Sequence, residues 1–225
     1  MSAYFRPNWH VVDQRTPEWF ALKAGKFSGS TMATVLSHGR NDEESKTRRK
    51  LIVKLATERD TGKTVRDFFE NQAMRDGTVR ESPGRGLFEQ LTGHMVDDSY
   101  GFIDHPSIPW FGVSPDGIIL PADLSGYPVA GLEIKSPELH TFTDRVLTRS
   151  IPMAYTWQCQ TLMECAALER VYYVNYQPDR PAGQQMLVHV IERNETMIRQ
   201  LIDGVKLASE EVEELRYALA RAKYF

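Results

Sequence analysis

Apolar positions follow two different rhythms along the chain. Up to Gly93 they recur at intervals of three and four residues, the repeat of one helix face; beyond it they come in short runs rich in β-branched and aromatic residues, bounded by Pro and Gly. In the first part, "TPEWFALKAGKFSGSTMATVL" predicts a helix with Thr16 as N-cap and Pro17 at its first position, ended by Gly25. A second short helix follows from Ser28 or Ser30. "DEESKTRRKLIVKLATERDTG" predicts a helix that opens on acids and has a basic middle, with an apolar stripe of Leu51, Val53 and Leu55. "ESPGRGLFEQLTG" predicts another, interrupted early by Pro83 and Gly84 and stopped by Gly93. In the second part, "WFGVSPDGIIL", "VAGLEIKSP", "RVYYVNYQP" and "QMLVHVIERN" predict four strands. Helices are expected in "PELHTFTDRVLTRS" and "MAYTWQCQTLMECAAL", between the second and third of these. From about residue 195 to 224 runs a long amphipathic helix or a pair of helices.

Helices first, then strands interleaved with helices, predict an α/β fold with one sheet flanked by helices. The chain has 225 residues, 41% hydrophobic and 25% charged, and no Ser/Gly/Pro-rich linker divides it, so residues 1–225 are expected to form a single domain. The net charge is -3. A basic nucleic-acid coat is excluded by that balance, whereas a local basic groove is not. Cys159 and Cys165 would lie about 240° apart around a helix, so they suit neither a disulfide nor a zinc pair, and a reducing, cytoplasmic setting fits. No run approaches the roughly 18 apolar residues of a membrane span, and "MSAYFRPNWH" has no apolar leader core.

Two strands carry the chemistry. In "GLEIK", Glu133 and Lys135 flank Ile134, so on an extended chain acid and base share one face of an otherwise apolar strand. "SPDG" places Asp116 at the end of the preceding strand, and a turn in "PADLSGYP" would let the two strands pair, bringing Asp116 and Glu133 to one sheet edge. Two adjacent carboxylates that stay ionised need a cation, and hard oxygen donors with room for water select Mg²⁺ or Mn²⁺ over zinc. Lys135 beside such ions can orient and help deprotonate a water, which is the apparatus of phosphodiester hydrolysis. An E-x-K on a strand is also common as a surface ion pair of little energetic consequence.

The order S-P-D-G, then L-E-I-K, resembles the PD-(D/E)xK nuclease superfamily, and within it the phage λ exonuclease family of 5′→3′ double-strand DNA exonucleases. The likeness extends through "VVDQRTPEWFALKAGKFSGS", "ESPGRGLFEQLTG", the Gln-x-Gln of "AYTWQCQ" and the hairpin "VNYQPDR" to "VIERNE", in the family's order over residues 10 to 200 or so. It implies a restriction-endonuclease-like core, a central mixed β-sheet with α-helices on both sides. It also implies that Asp116, Glu133 and the main-chain carbonyl of Ile134 hold two Mg²⁺ ions, that Lys135 assists the attacking water, and that Glu81 supports that water. By the same resemblance, Lys23, Ser30, Ser114 and Gln158 form a pocket for the 5′-terminal phosphate, with Lys23 standing where the family usually has Arg. A lysine offers phosphate a point charge in place of a planar fork. The resemblance further implies duplex DNA ends as substrate, a ring-shaped homotrimer, and a phage single-strand annealing protein as partner.

Other features change the picture less. Lys46, Arg48, Arg49, Lys50 and Lys54 fit either a phosphate-tracking helix or a solvated face. Tyr155 and Trp157 fit the core or a strand terminus. The His residues show no metal-ligand spacing, and "AGKFSGST" departs from a phosphate loop at Phe20 and Phe27. Two rival functions stand beside the exonuclease: another PD-(D/E)xK endonuclease, and a non-catalytic DNA-end-binding recombination module.

Overall fold

The computed structural model of the chain describes residues 8–37, 45–65, 72–122 and 127–223. The acids 42–44 expected to open the third helix, the middle of the turn at 123–126, and residue 224 of the tail lie outside them. The elements run β1 (Trp9–Val11), α1 (Pro17–Lys23), β2 (Phe27–Ser28), α2 (Met32–Val35), α3 (Lys46–Thr61), α4 (Gln72–Thr92), β3 (Met95–Asp97) and β4 (Tyr100–Asp104). After these come β5 (Phe111–Val113), β6 (Gly117–Leu120), β7 (Ala130–Lys135), α5 (Leu139–Thr148), α6 (Met153–Ala166), β8 (Arg170–Tyr176), β9 (Met186–Glu192) and α7 (Glu195–Arg221).

The helix starts follow their local chemistry. Thr16 Oγ1 accepts from Trp19 N–H at 3.3 Å with Pro17 next in line, and Gly25 turns the chain away at φ 72°. Ser45 caps α3, and Asn194 accepts from both Thr196 and Met197 N–H to cap α7. The tail is one helix, held down by Ile198, Leu201, Val205, Ala208 and Val212, which are buried at alternating three- and four-residue spacing. On α3 the buried stripe is Ile52, Leu55 and Ala56, while Val53 faces outward. Arg48 is drawn inward too, with Glu211 accepting from its Nη1 and Nη2 at 2.6 and 2.8 Å.

The helix expected to break at Pro83 and Gly84 runs through both. Pro83 removes one backbone donor, yet Phe88 downstream is fully buried and anchors the helix. Gly84 is a packing position: a Cβ there would come within 3.1 Å of the Tyr176 ring, so its absence lets α4 lie close on β8.

Among the described residues the strands form two sheets and not the one expected, ordered β1-β4-β5-β2 and β3-β6-β7-β8-β9. Each has one parallel pair, β2 with β5 and β7 with β8, and antiparallel neighbours otherwise. The single strand expected over 110–120 is therefore two, one in each sheet, separated at 114–116. Pro115 lies at the break, where its missing N–H does not interrupt a ladder. Strand β7 is central in the larger sheet. Its Ala130, Leu132 and Ile134 pack with Phe88, Ile119 and Val174 on the α4 side, so Glu133 and Lys135 belong to the opposite face, the one that α6 covers. Helices on both faces of a mixed sheet are what the resemblance implied.

Candidate active site

The antiparallel register sets Gly117 against Leu132, which brings Asp116, one residue earlier, alongside Glu133. Asp116 Oδ2 accepts from Ile134 N–H at 2.7 Å. Glu133 is 1% exposed; one of its oxygens accepts from Lys135 Nζ, and the other, Oε2, is buried with no partner in the protein. Burial, then the Asp116 charge, pushes the Glu133 carboxyl up to about 8, against the pull of Lys135. Burial on its own would lower Lys135, but Glu133 and Asp116 outweigh it and hold the ammonium firmly protonated.

An orphaned, buried carboxylate oxygen is costly unless something outside the chain satisfies it. Asp116, Glu133 and Ile134, which lines the cleft above them, offer a small set of hard oxygen donors. Among the described residues no group of three or more His, Cys, Asp and Glu side chains converges on a metal position. Hard oxygen donors of this kind would suit a cation such as Mg²⁺ that keeps part of its coordination for water or substrate.

Glu81 approaches from α4. Burial and then Asp116 raise its carboxyl to about 7, and Arg15 Nη2 lies 3.5 Å from its Oε1. One helical turn further on, Arg85 donates from Nε and Nη2 to the main-chain oxygen of Asp116 at 3.2 and 3.1 Å, and from Nη1 to Asp98 at 2.6 Å. Arg85 thereby ties the backbone of Asp116 to the helix that carries Glu81. Sequence reasoning did not single it out; its only signal was a spacing of four from Glu81.

A cleft of about 720 Å³ gathers Lys23, Ser30, Glu81, Ile134, Lys135 and Gln158, residues from five separate stretches of chain. Ser30 Oγ is 3.2 Å from Ser28 Oγ. Lys23 Nζ stands 4.1 Å from the centroid of the Trp19 ring, and burial followed by the nearby Lys54 brings its ammonium down to about 8, with Glu58 opposing. Ser114 is turned to the same tryptophan: its Oγ accepts from Trp19 Nε1 at 3.0 Å, while Gly101 O accepts from that N–H at 2.8 Å. Trp19 is in this way a shared support for Lys23 and Ser114. Arg15 and Arg145 also line the cleft and had no sequence signal beyond their charge.

Residues 18–169 match the YqaJ-like viral recombinase domain. The chain is similar to the crystal structure of an alkaline exonuclease (LHK-Exo) from Laribacter hongkongensis, at 30% identity and a TM-score of 0.80 over 92% of this chain and 97% of that one. A second structure of LHK-Exo, in complex with dAMP, matches to the same degree. A phage-related exonuclease from Haemophilus somnus 129PT shares the fold at 13% identity, with a TM-score of 0.66 over 86% of this chain and 96% of that one. No curated protein matches the chain in sequence. With two thirds of its length inside the family's domain and the α/β fold of these nucleases throughout, the chain belongs to the YqaJ-like viral recombinase family, the λ-exonuclease-like group that its motifs indicated.

Proposed function

We propose that this protein is a Mg²⁺-dependent exonuclease that degrades the 5′-ended strand of linear duplex DNA, releasing mononucleotides and leaving 3′ single-stranded overhangs for recombination by strand annealing. The observation that carries the reading is the unpartnered Glu133 Oε2 beside Asp116 and the ion-paired Lys135, under a cleft that also holds Lys23, Ser30 and Gln158. Asp116, Glu133 and the Ile134 carbonyl would hold two Mg²⁺ ions, replaceable by Mn²⁺, which would supply charge stabilisation to the phosphate under attack. Asp116 is oriented for this by Ile134 N–H and, through its backbone, by Arg85. Lys135, kept cationic, acts as a donor that orients the water and faces the charge growing on the phosphate. Glu81 supports the same water from α4. Lys23, Ser30 and Gln158 seat the 5′ phosphate, with Ser114 aligned through Trp19. The dAMP bound by LHK-Exo is of the product class this reaction requires.

On the family resemblance we extend the reading to residues 1–225 as one nuclease domain, to a homotrimer around the duplex, to a single-strand annealing protein that receives the overhang, and to the cytoplasm of a bacterial host.

The deciding experiment offers the protein linear duplex labelled on one strand, with 5′-phosphate or 5′-hydroxyl ends, next to a closed circular duplex, in Mg²⁺ and in EDTA. Loss of the 5′-phosphorylated strand in Mg²⁺ alone, with the circle intact, is the expected result. Cutting of the circle would favour an endonuclease, and binding without digestion in Mg²⁺ or Mn²⁺ an end-binding module. Lys135→Ala is expected to abolish digestion while duplex binding, read by fluorescence anisotropy, stays near wild type.

A further inference from the structure

Arg145 lines the cleft yet has no part in the reaction set out above. It sits on α5 at 8% exposure, and its Nη1 donates to Asn175 Oδ1 at 2.6 Å and to Tyr173 Oη at 3.3 Å, both neutral groups. It makes no ion pair with a described carboxylate. Other inward-facing arginines behave differently: Arg48 meets Glu211, Arg59 meets Glu213, Arg85 meets Asp98 and Arg193 meets Glu164. Within the cleft, Lys135 has Glu133 and Arg15 has Glu81. A guanidinium cannot relieve its own burial by losing a proton, so a buried one without a counter-charge calls for an anion from outside the chain.

The place of that anion is set by Tyr155. Lys135 Nζ lies 5.3 Å and Arg145 Cζ 5.4 Å from the centroid of its ring, so the two cations flank one aromatic side chain. With Nη1 anchored on Asn175 and Tyr173, the guanidinium enters the cleft pre-oriented, its remaining donors in the fork geometry that suits two oxygens of one phosphate.

We propose that Arg145 binds a backbone phosphate of the DNA strand lying in the cleft, beside Lys135. The inference rests on reading the cleft as a DNA site, and it adds a contact separate from the terminal-phosphate group of Lys23, Ser30 and Gln158.

The test measures duplex binding in EDTA, with 5′-hydroxyl and with 5′-phosphate ends, over a series of NaCl concentrations. Arg145→Gln is expected to weaken binding about tenfold. It should also reduce the steepness of log K against log salt by about 0.7 to 0.9, the loss of one phosphate contact. Both ends should be affected alike. Asn175→Asp gives the guanidinium an internal counter-charge in place of an amide whose Nδ2 has no partner in the protein. That variant should weaken DNA binding and flatten the salt slope in the same way while raising the melting temperature, and it decides the matter if Arg145→Gln does not fold. Folded variants with wild-type affinity and slope would overturn the proposal. So would weaker binding with an unchanged slope, the mark of a purely structural residue, or a loss confined to 5′-phosphate ends. Wild-type protein that binds no duplex at all would instead remove the underlying reading of the cleft.

Discussion

Lys23 shows how much a single side chain can owe to its surroundings. The family resemblance implied a phosphate contact for it, but not that burial and Lys54 would bring its ammonium down to about 8. The ammonium is charged below that value and neutral above it. The preference for 5′-phosphate over 5′-hydroxyl ends is therefore expected to be full at neutral pH and to fall as pH rises through about 8, with bound phosphate moving the midpoint upward. Lys23→Arg should keep the preference flat over the same range, because arginine stays protonated. The ratio of digestion rates on the two ends from about pH 7 to about pH 10 reads this directly. The acid and base of "GLEIK" were legible because strand alternation alone puts them on one face. Arg85 and Arg145 were not: what distinguishes them is a backbone carbonyl in one case and the absence of a carboxylate in the other, and neither is written in local sequence.

At the scale of elements, the turn after α1 positions Lys23 for the cleft. Glu58 accepts from Gly25 N–H at 2.9 Å and from Val65 N–H at 2.8 Å, while Arg59 Nε donates to Gly25 O at 2.9 Å. A Cβ on Gly25 would fall 2.5 Å from Arg59 Cγ, and the residue sits at φ +72°. Gly25→Ala is expected to cost about 1–3 kcal/mol in chemical denaturation, through strain and a displaced Arg59. Since Lys23 is two residues away, the preference for phosphorylated ends should drop with it. Gly25 was readable as a helix stop, because caps are local. Its second role depends on α3, more than thirty residues on, so no pattern around it could announce it.

On the scale of the whole molecule, Glu164 joins parts that are distant in sequence. On α6, it receives His105 Nε2 at 3.1 Å from the end of β4 and Arg193 Nη2 at 2.5 Å from the junction of β9 and α7, so it links the two sheets. Burial would raise its carboxyl, but the hydrogen bonds from Arg193 and His105 outweigh that and hold it below the ordinary carboxylate range. A folded-state value below the unfolded one adds stability that is present above the unfolded value and is lost as pH falls through the folded one. Glu164→Gln should therefore lower stability at neutral pH by about 2 kcal/mol and flatten the acid limb of the stability curve. Thermal melts between about pH 7 and about pH 3 measure both effects.

The amino-acid order by itself determined the helix start at Thr16, a helical tail from about residue 195, the strands around Glu133 and along 170–192, the shared face of Glu133 and Lys135, and the family. Each of these depends on a short-range period, a cap, or motifs kept in order. Tertiary structure decided that the stretch 110–120 divides at Pro115 between two sheets, that α4 continues through Pro83, and that Lys23, Ser30, Glu81, Lys135 and Gln158 open onto one cleft. It also left Glu133 Oε2 without a partner and Arg145 without a counter-charge. These outcomes depend on which surfaces meet across the chain and on which buried groups are satisfied there, and packing, not local pattern, sets both.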